Sequence, residues 1–258
     1  MLCACDGVFG IRYIDQPKPD APLPDVLLPT DIGSMGLGYA AEVLADGPVG
    51  YFRLGETSGV TAVNQVPGGP AGTYIGTFTL GAAGAVAGDT DGALALDYAN
   101  AGAVDVGDNY GFPGAAPFSI EAWVKPAPDD GHSHIIASKW HQPTTNVGYE
   151  VFVQGTAVKF SRELSASSDV VTADGLVADQ YAHVVATFDG TMLRLYLDGT
   201  QQAIGSSVIQ LPVENNRFQI GEGNGFATFS GSIDEVAIYD KALSAGRVNA
   251  HYIAAQSD

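Results

Sequence analysis

Positive charge is what this sequence has least of. Eleven lysines and arginines stand against 29 aspartates and glutamates, a formal net charge of −18 over 258 residues. Such a polyanion is repelled by phosphate backbones and by anionic lipid, which excludes nucleic acid as a partner and the membrane surface as a platform. Cysteine is confined to Cys3 and Cys5, so no disulfide holds the rest of the chain together. A Cys-x-Cys pair is too close for an easy bridge. These two read as plain thiols, with a share of an intermolecular metal site as the alternative. Long apolar runs are absent, so no membrane-spanning helix is expected. The opening "MLCACDGVFGIRYID" has neither a basic leader nor an adequate apolar stretch, and export by an ordinary signal peptide is not expected.

What is present changes character along the chain. Residues 1–37 carry Pro17, Pro19, Pro22, Pro24 and Pro29. Proline removes backbone donors and locks φ, so this stretch is expected to be an extended arm. "GYAAEVLADGP" then reads as a short helix with Tyr39, Val43 and Leu44 at helical spacing, stopped by Gly47-Pro48. From Tyr51 the periodicity becomes two. "VGYFRLGE", "GTYIGTFTL", "GALALDY", "AGAVDVG", "FSIEAWVKP", "HIIASKW", "GYEVFVQG", "TAVKFSRE", "YAHVVATFD", "TMLRLYLDG", "NRFQIGEG" and "FSGSIDEVAIYD" read as strands, with Gly, Pro, Asn and Asp in the gaps. In "MLRLYLDG" the inner face falls to Leu193, Leu195 and Leu197. In "SIEAWVKP", Ile120, Ala122 and Val124 oppose Glu121, Trp123 and Lys125, so Trp123 is either covered by a further layer or open to a partner. "SAGRVNAHYIAA" closes the chain as a helix capped by Ser244, with Val248 and Tyr252 on one face. The expected fold is all-β: a two-sheet antiparallel sandwich over residues 38–258, with an extended N-terminal arm and short flanking helices.

Four segments occur in an order that resembles the laminin G-like domain of the concanavalin A-like superfamily, in its three-motif bacterial and phage form. They are "ADGPVGYFRLGETSG" at 45–59, "FSIEAWVKP" at 118–126, "HVVATFDGTMLRLYLDG" at 183–199 and "GSIDEVAIYDKALSAGRVNAHY" at 231–252. The resemblance spans about residues 38 to 255 and implies a jelly roll whose first and last strands pair. It implies binding of glycans or proteins, often with calcium, rather than catalysis. The related glucanases set their acids on one strand face as Glu-x-Asp-x-x-Glu or a shorter form, which this sequence lacks. Asp234 and Glu235 are adjacent, and strand alternation sends them to opposite faces. Gly-x-Ser-x-Gly and phosphate-cradling loops are also missing from the contexts that would give them meaning.

Three acids are the metal candidates. Glu56 is placed on the face of Phe52 and Leu54, and Asp234 on the face of Val236 and Ile238. If the terminal strands pair, the two carboxylates approach and need a cation, a proton or several donors. The alternative is that each caps a turn, Glu56 over "TSGV". Asp97 stands where the family often shows Phe-Asp-Gly, here with Tyr98 in place of the glycine, and Asn64 stands where the family often has aspartate. His132, His134 and His141 crowd one loop and strand, where zinc binding with Asp129 or Asp130 competes with an ordinary surface role. His183 matches a family histidine and reads as structural, with Tyr181 replacing the family's tryptophan. Sugars offer apolar faces and hydroxyl rims, so a glycan site wants aromatics beside amides and carboxylates. The ligand-binding candidates are Trp140, Gln142, Asn146, Tyr149, Asn224 and Phe226, with His141, Asn100 and Tyr110 able to join them.

The functional expectation is a non-catalytic structural or adhesion module of a virion or extracellular surface. The favoured form is a phage capsid-decoration or tail-associated protein in an oligomeric assembly. It would be attached to other virion or surface proteins through residues 1–37 and would present its sandwich to surfaces or glycans. A soluble calcium-dependent lectin is the alternative, and a degenerate glucanase-like hydrolase is third. No cofactor is required in the first reading; calcium enters with the second.

Overall fold

The computed structural model describes residues 38–141, 146–223 and 227–257. The arm expected over residues 1–37 lies outside them. Two antiparallel sheets carry the described body. The first runs β14 (Thr200–Ser206), β13 (Met192–Leu197), β12 (Ala182–Phe188), β7 (Phe118–Pro126), β16 (Gly231–Tyr239), β5 (Gly92–Leu96) and β4 (Thr79–Ala83), with β1 (Gly50–Phe52) beside the far half of β16. The second runs β11 (Ser167–Asp174), β10 (Ala157–Leu164), β9 (Val147–Gln154), β8 (Ser133–His141), β15 (Gln219–Ile220), β6 (Gly102–Asp105), β3 (Gly72–Gly76) and β2 (Thr61–Ala62). First and last strands pair antiparallel, Phe52 opposite Val236.

Alternation builds the core as expected. Leu193, Leu195 and Leu197 of β13 and Ile120, Ala122 and Val124 of β7 pack with Val151, Val153 and Phe160 of the facing sheet. Phe118 anchors a ring cluster, with Phe112 stacked at 4.7 Å and Tyr149 at 4.6 Å. The Asp198-Gly199 pair joins β13 to β14 with φ of +48° and +74°. Positive φ at both central residues is the geometry of a type I′ hairpin, whose twist suits the flanking strands.

A second apolar layer covers the outer face of the first sheet. Here α1 (Tyr39–Ala45) and α2 (Ala245–Ala254) bring Tyr39, Val43 and Val248 against Trp123, Val185 and Tyr239. Trp123 is therefore covered rather than offered to a partner, with the Tyr252 ring stacked 6.0 Å away. Ser244 caps α2 by accepting from Arg247 N at 3.3 Å. Leu44 is 42% exposed: Tyr39 and Val43 are four apart and share a face, while Leu44 is rotated about 100° from Val43. Glu121, between β7 and the helices, is fully buried. It accepts from Tyr39 Oη at 2.9 Å and Tyr239 Oη at 2.9 Å, and meets His183 Nε2 at 2.8 Å and His251 Nδ1 at 3.0 Å.

Three features depart from the sequence reading. "GTYIGTFTL" is two strands in different sheets, because the chain turns at Gly76, φ +66°, where a Cβ would collide with the Ala101 carbonyl. β11 and β14 form from "SSDVVTAD" and "TQQAIGS", edge strands too polar to announce themselves by alternation. Third, β16 bulges between Asp234 and Ala237, with Glu235 at φ +53°. The bulge shifts the parity of everything before it. Asp234 consequently lies opposite Trp123 on the outer face, not with inward Val236 and Ile238. Glu235 bonds Tyr51 of the outer layer, so the two acids share a side rather than taking opposite faces.

Candidate functional site

The second sheet's register sorts its side chains. Tyr149, Val151 and Val153 of β9 face the core. Trp140, Ser138 and Ile135 of β8 lie opposite Gly148, Glu150 and Phe152 and point outward with them. Of these, Trp140, Ile135, Glu150 and Phe152 line a cleft of about 330 Å³ together with Ser133, Gln154, Gly223 and Ala227. The Trp140 indole is fixed by its Nε1 donating to Glu163 Oε2 at 3.0 Å. Glu150 is 9% exposed and accepts from Ser161 Oγ at 3.4 Å. Burial, and after it the Glu163 charge, pushes its pKa up to about 7. Near neutrality such a carboxyl both donates and accepts, which suits hydroxyl groups. The cleft thus holds an oriented aromatic plane, a second ring at Phe152 and a recessed carboxyl, the elements that sugar recognition requires.

The structure separates the residues predicted to bind a ligand. Trp140 lies in this cleft, which Gly223 and Ala227 also line. Gln142, Asn224 and Phe226 fall outside the described residues. Asn146 is half-buried before β9, its carbonyl accepting from Ser165 N at 2.6 Å. Tyr149 faces inward and donates to the Tyr110 carbonyl at 2.6 Å. It lines a different cleft, of about 260 Å³, with Phe112, Lys139 and Leu211. Sequence neighbours 140 and 149 land on opposite faces because Trp140 pairs with Gly148. Glu150, Phe152 and Glu163 were not singled out from the sequence. The alternation of "GYEVFVQG" and "TAVKFSRE" carried that signal, since Glu150 and Phe152 occupy one face and Ser161 and Glu163 the matching one.

The metal candidates are not gathered in one place. Glu56 accepts from Val63 N at 2.8 Å and from the Tyr74 hydroxyl, tying down the turn after β1. Asp97 caps a single helical turn, accepting from Ala99 N at 3.0 Å and Asn100 Nδ2 at 2.7 Å. Asp234 is buried and accepts from Ala85 N at 2.8 Å. Among the described residues, the acids whose ligand atoms lie within 4.8 Å of one another are Asp89, Asp91 and Glu235. Arg53 reaches all three, at 2.9 Å to Asp91 and 2.8 Å to Glu235. Burial pushes Asp234 up to about 8, helped by the neighbouring charge of Glu235. His134 commits both ring nitrogens, to the Thr228 carbonyl at 3.1 Å and Asp130 at 2.9 Å, and His132 stacks on Tyr98 at 4.4 Å.

Residues 97–249 match the laminin G-like family of the concanavalin A-like lectin/glucanases superfamily. No curated protein sequence matches the chain. Among solved structures, domain 4 of AbnA, a GH43 extracellular arabinanase from Geobacillus stearothermophilus in complex with arabinotriose, superposes with a TM-score of 0.58 at 19% identity. The match covers 81% of this chain and 98% of that one. The binding domain of botulinum neurotoxin serotype C1 gives 0.60 at 11% identity, covering 83% and 53%. That of neurotoxin DC in complex with SialylT gives 0.60 at 11%, covering 82% and 52%. The chain spans about half the length of these toxin binding domains. At these identities the likeness is one of fold.

Proposed function

Because the chain belongs to the laminin G-like family of the concanavalin A-like lectin/glucanases superfamily, we propose that it is a non-catalytic carbohydrate-binding module. Its ligand would lie on the outward face of the second sheet. The observation that carries this reading is the Trp140 cleft, an indole locked by Glu163 beside Phe152 and recessed Glu150. The solved neighbours support it: the arabinanase domain is held with arabinotriose and the neurotoxin DC domain with SialylT. The test is a glycan array followed by calorimetry on any hit. Trp140→Ala should weaken binding about tenfold to a hundredfold, the loss expected for a central aromatic anchor. Unchanged binding in that variant would move the site elsewhere.

One observation favours a hydrolytic reading. Glu150 and Glu163 share the outward face, and one has a raised pKa. However, Glu163 is engaged by the Trp140 indole and by Ser168 Oγ at 3.4 Å, and Glu150 by Ser161. Incubation with arabino- and gluco-oligosaccharides should therefore release no reducing ends. Measurable release would replace the non-catalytic reading.

The proline-bearing segment 1–37 is assigned the attachment role in a virion or other surface assembly, as extended segments add to a sheet edge or groove. Deleting it should abolish particle association and leave glycan binding intact. Loss of both together would remove the separate role of the arm.

A further inference from the structure

The cleft around Trp140 carries one sign of charge. Glu150 is the one ionisable residue among those that line it. It sits on β9 between Ser138 of β8 and Ser161 of β10. Glu150 is 9% exposed, and its carboxyl takes a single long hydrogen bond, from Ser161 Oγ to Oε1 at 3.4 Å. Among the described residues its Oε2 has no partner. A carboxyl so deeply recessed, with an oxygen left open on a cleft, is incomplete until a ligand supplies a donor.

Hydroxyl and ammonium groups both donate, and charge decides between them. Burial and the charge of Glu163, on the same outward face, hold the Glu150 pKa at about 7. A neutral ligand therefore meets a carboxyl that is largely protonated below that value, whereas an ammonium draws it into its charged form. The resulting charge-assisted bond is about twice as strong as a neutral one. A carboxylate on the ligand would instead add a further negative charge beside Glu150 and Glu163. The aromatic walls favour the same choice, since an ammonium is attracted to a ring face. Lys159 displays this at the rim: its Nζ lies 6.0 Å from the Phe152 ring centroid and donates to Gln154 Oε1 at 2.6 Å. It is committed there and is not among the lining residues. With a net charge of −18, the chain also attracts polycations and repels polyanions at long range.

Resting on the reading that this cleft binds carbohydrate, we propose that its ligand is an amino sugar: a chain of unacetylated 2-amino-2-deoxyhexose whose ring stacks on Trp140 and whose ammonium donates to Glu150. N-acetylation removes the charge and adds bulk at the donating nitrogen, so an acetylated chain loses the bond that selects the ligand. A neutral hexose chain keeps the stacking and gives up the charge. Uronic acid chains are repelled.

The test is calorimetry of the full chain at about pH 6, where the amines are charged. The ligands are tetramers of β-1,4-linked glucosamine, N-acetylglucosamine and glucose, which differ only in the substituent at carbon 2. The glucosamine tetramer should bind at least about tenfold more tightly than the other two. Glu150→Gln should bring the three to within about twofold of one another. Trp140→Ala should weaken the glucosamine tetramer as it weakens any glycan in the cleft. Equal binding of all three tetramers by the unaltered chain overturns the amino-sugar assignment and leaves the carbohydrate reading standing. So does binding of other array glycans with none of the tetramers bound. A chain that binds no glycan at all removes both. Glucosamine binding that survives unchanged in both variants overturns the site, since it is then the attraction of a polycation to an acidic surface.

Discussion

Glu121→Gln should lower folding stability by about 3–5 kcal/mol, the usual loss when one partner of a buried charged network is removed. Glu121 is fully buried and is the acceptor on which Tyr39, Tyr239, His183 and His251 converge. Two of those groups, Tyr39 and His251, belong to α1 and α2. The carboxylate therefore pins the helical layer to the sheet beneath Trp123. Glutamine keeps the shape and one acceptor oxygen, but it loses the charge and cannot serve four donors.

The same network sets a pH dependence. Burial alone would raise the Glu121 pKa, but hydrogen bonds from His183 and His251 hold it well below the usual carboxylate range. Its contribution is thus present above the unfolded value near 4.5 and disappears as pH falls through the depressed folded value. Burial alone would lower the His251 pKa, but its bond to Glu121 and the charges of Glu121 and Asp46 raise it. That contribution is complete below the unfolded value of 6.5 and is lost as pH rises through the folded value. Glu150, pushed up to about 7 by burial, adds its own loss as pH rises from 4.5 to about 7, and this loss remains in the variant. The quantity to read is therefore the difference between parent and Glu121→Gln in urea denaturation. It should be greatest at about pH 5–6 and shrink on both sides. A difference that is flat across pH 4–9 would mean that packing, not charge, joins the helices to the sheet.

Which features the sequence revealed follows from how local their causes are. β7 has the expected bounds, Phe118–Pro126, because nine residues alternate without interruption. The Asp198-Gly199 turn has an equally local cause, a residue pair of the kind that tolerates positive φ twice. Gly76 was misread because a glycine inside an apolar run looks the same whether the strand continues or crosses to the other sheet. The bulge at Glu235 was invisible, since one inserted residue inverts the facing of Asp234 without altering composition. The site was half legible for the same reason. Trp140 could be named from its type, but separating it from Tyr149 needed the register of β8 on β9. The arginine–carboxylate group draws Arg53, Asp89, Asp91 and Glu235 from three parts of the chain. The pairing of β16 with both β1 and β5 brings those parts together.

Arg162→Ala should cost about 3 kcal/mol or more, because it strips charged hydrogen bonds from buried acceptors and leaves a cavity. In "TAVKFSRE" Arg162 occupies the inward face after Val158 and Phe160, where an aliphatic residue would be expected, and it is fully buried. Among the described residues no carboxylate forms a salt bridge with it, although Asp169 lies opposite it on β11 and its charge acts on the guanidinium. Its guanidinium lies 3.8 Å over the Phe188 ring and donates to Ser207 Oγ at 3.0 Å, the Ile209 carbonyl at 2.9 Å and the Gly114 carbonyl at 2.7 Å. Burial pulls its pKa down to about 10, yet it stays charged at neutral pH. Those acceptors belong to two loops that also meet through Gly114 N donating to the Leu211 carbonyl at 2.6 Å. The arginine thus holds together the walls that supply Pro113 and Leu211 to the Tyr149 cleft. Arg162→Met separates the possible causes. It keeps the stem and discards the buried charge, so a hydrophobic replacement can recover stability lost to desolvation. If bridging the loops is the larger role, Arg162→Met should still lose about 1–2 kcal/mol. Amide exchange should also speed up around residues 113–116 and 207–211. A methionine variant as stable as the parent, with exchange unchanged in both loops, would show that the loops hold themselves and that the arginine only fills space beside Phe188.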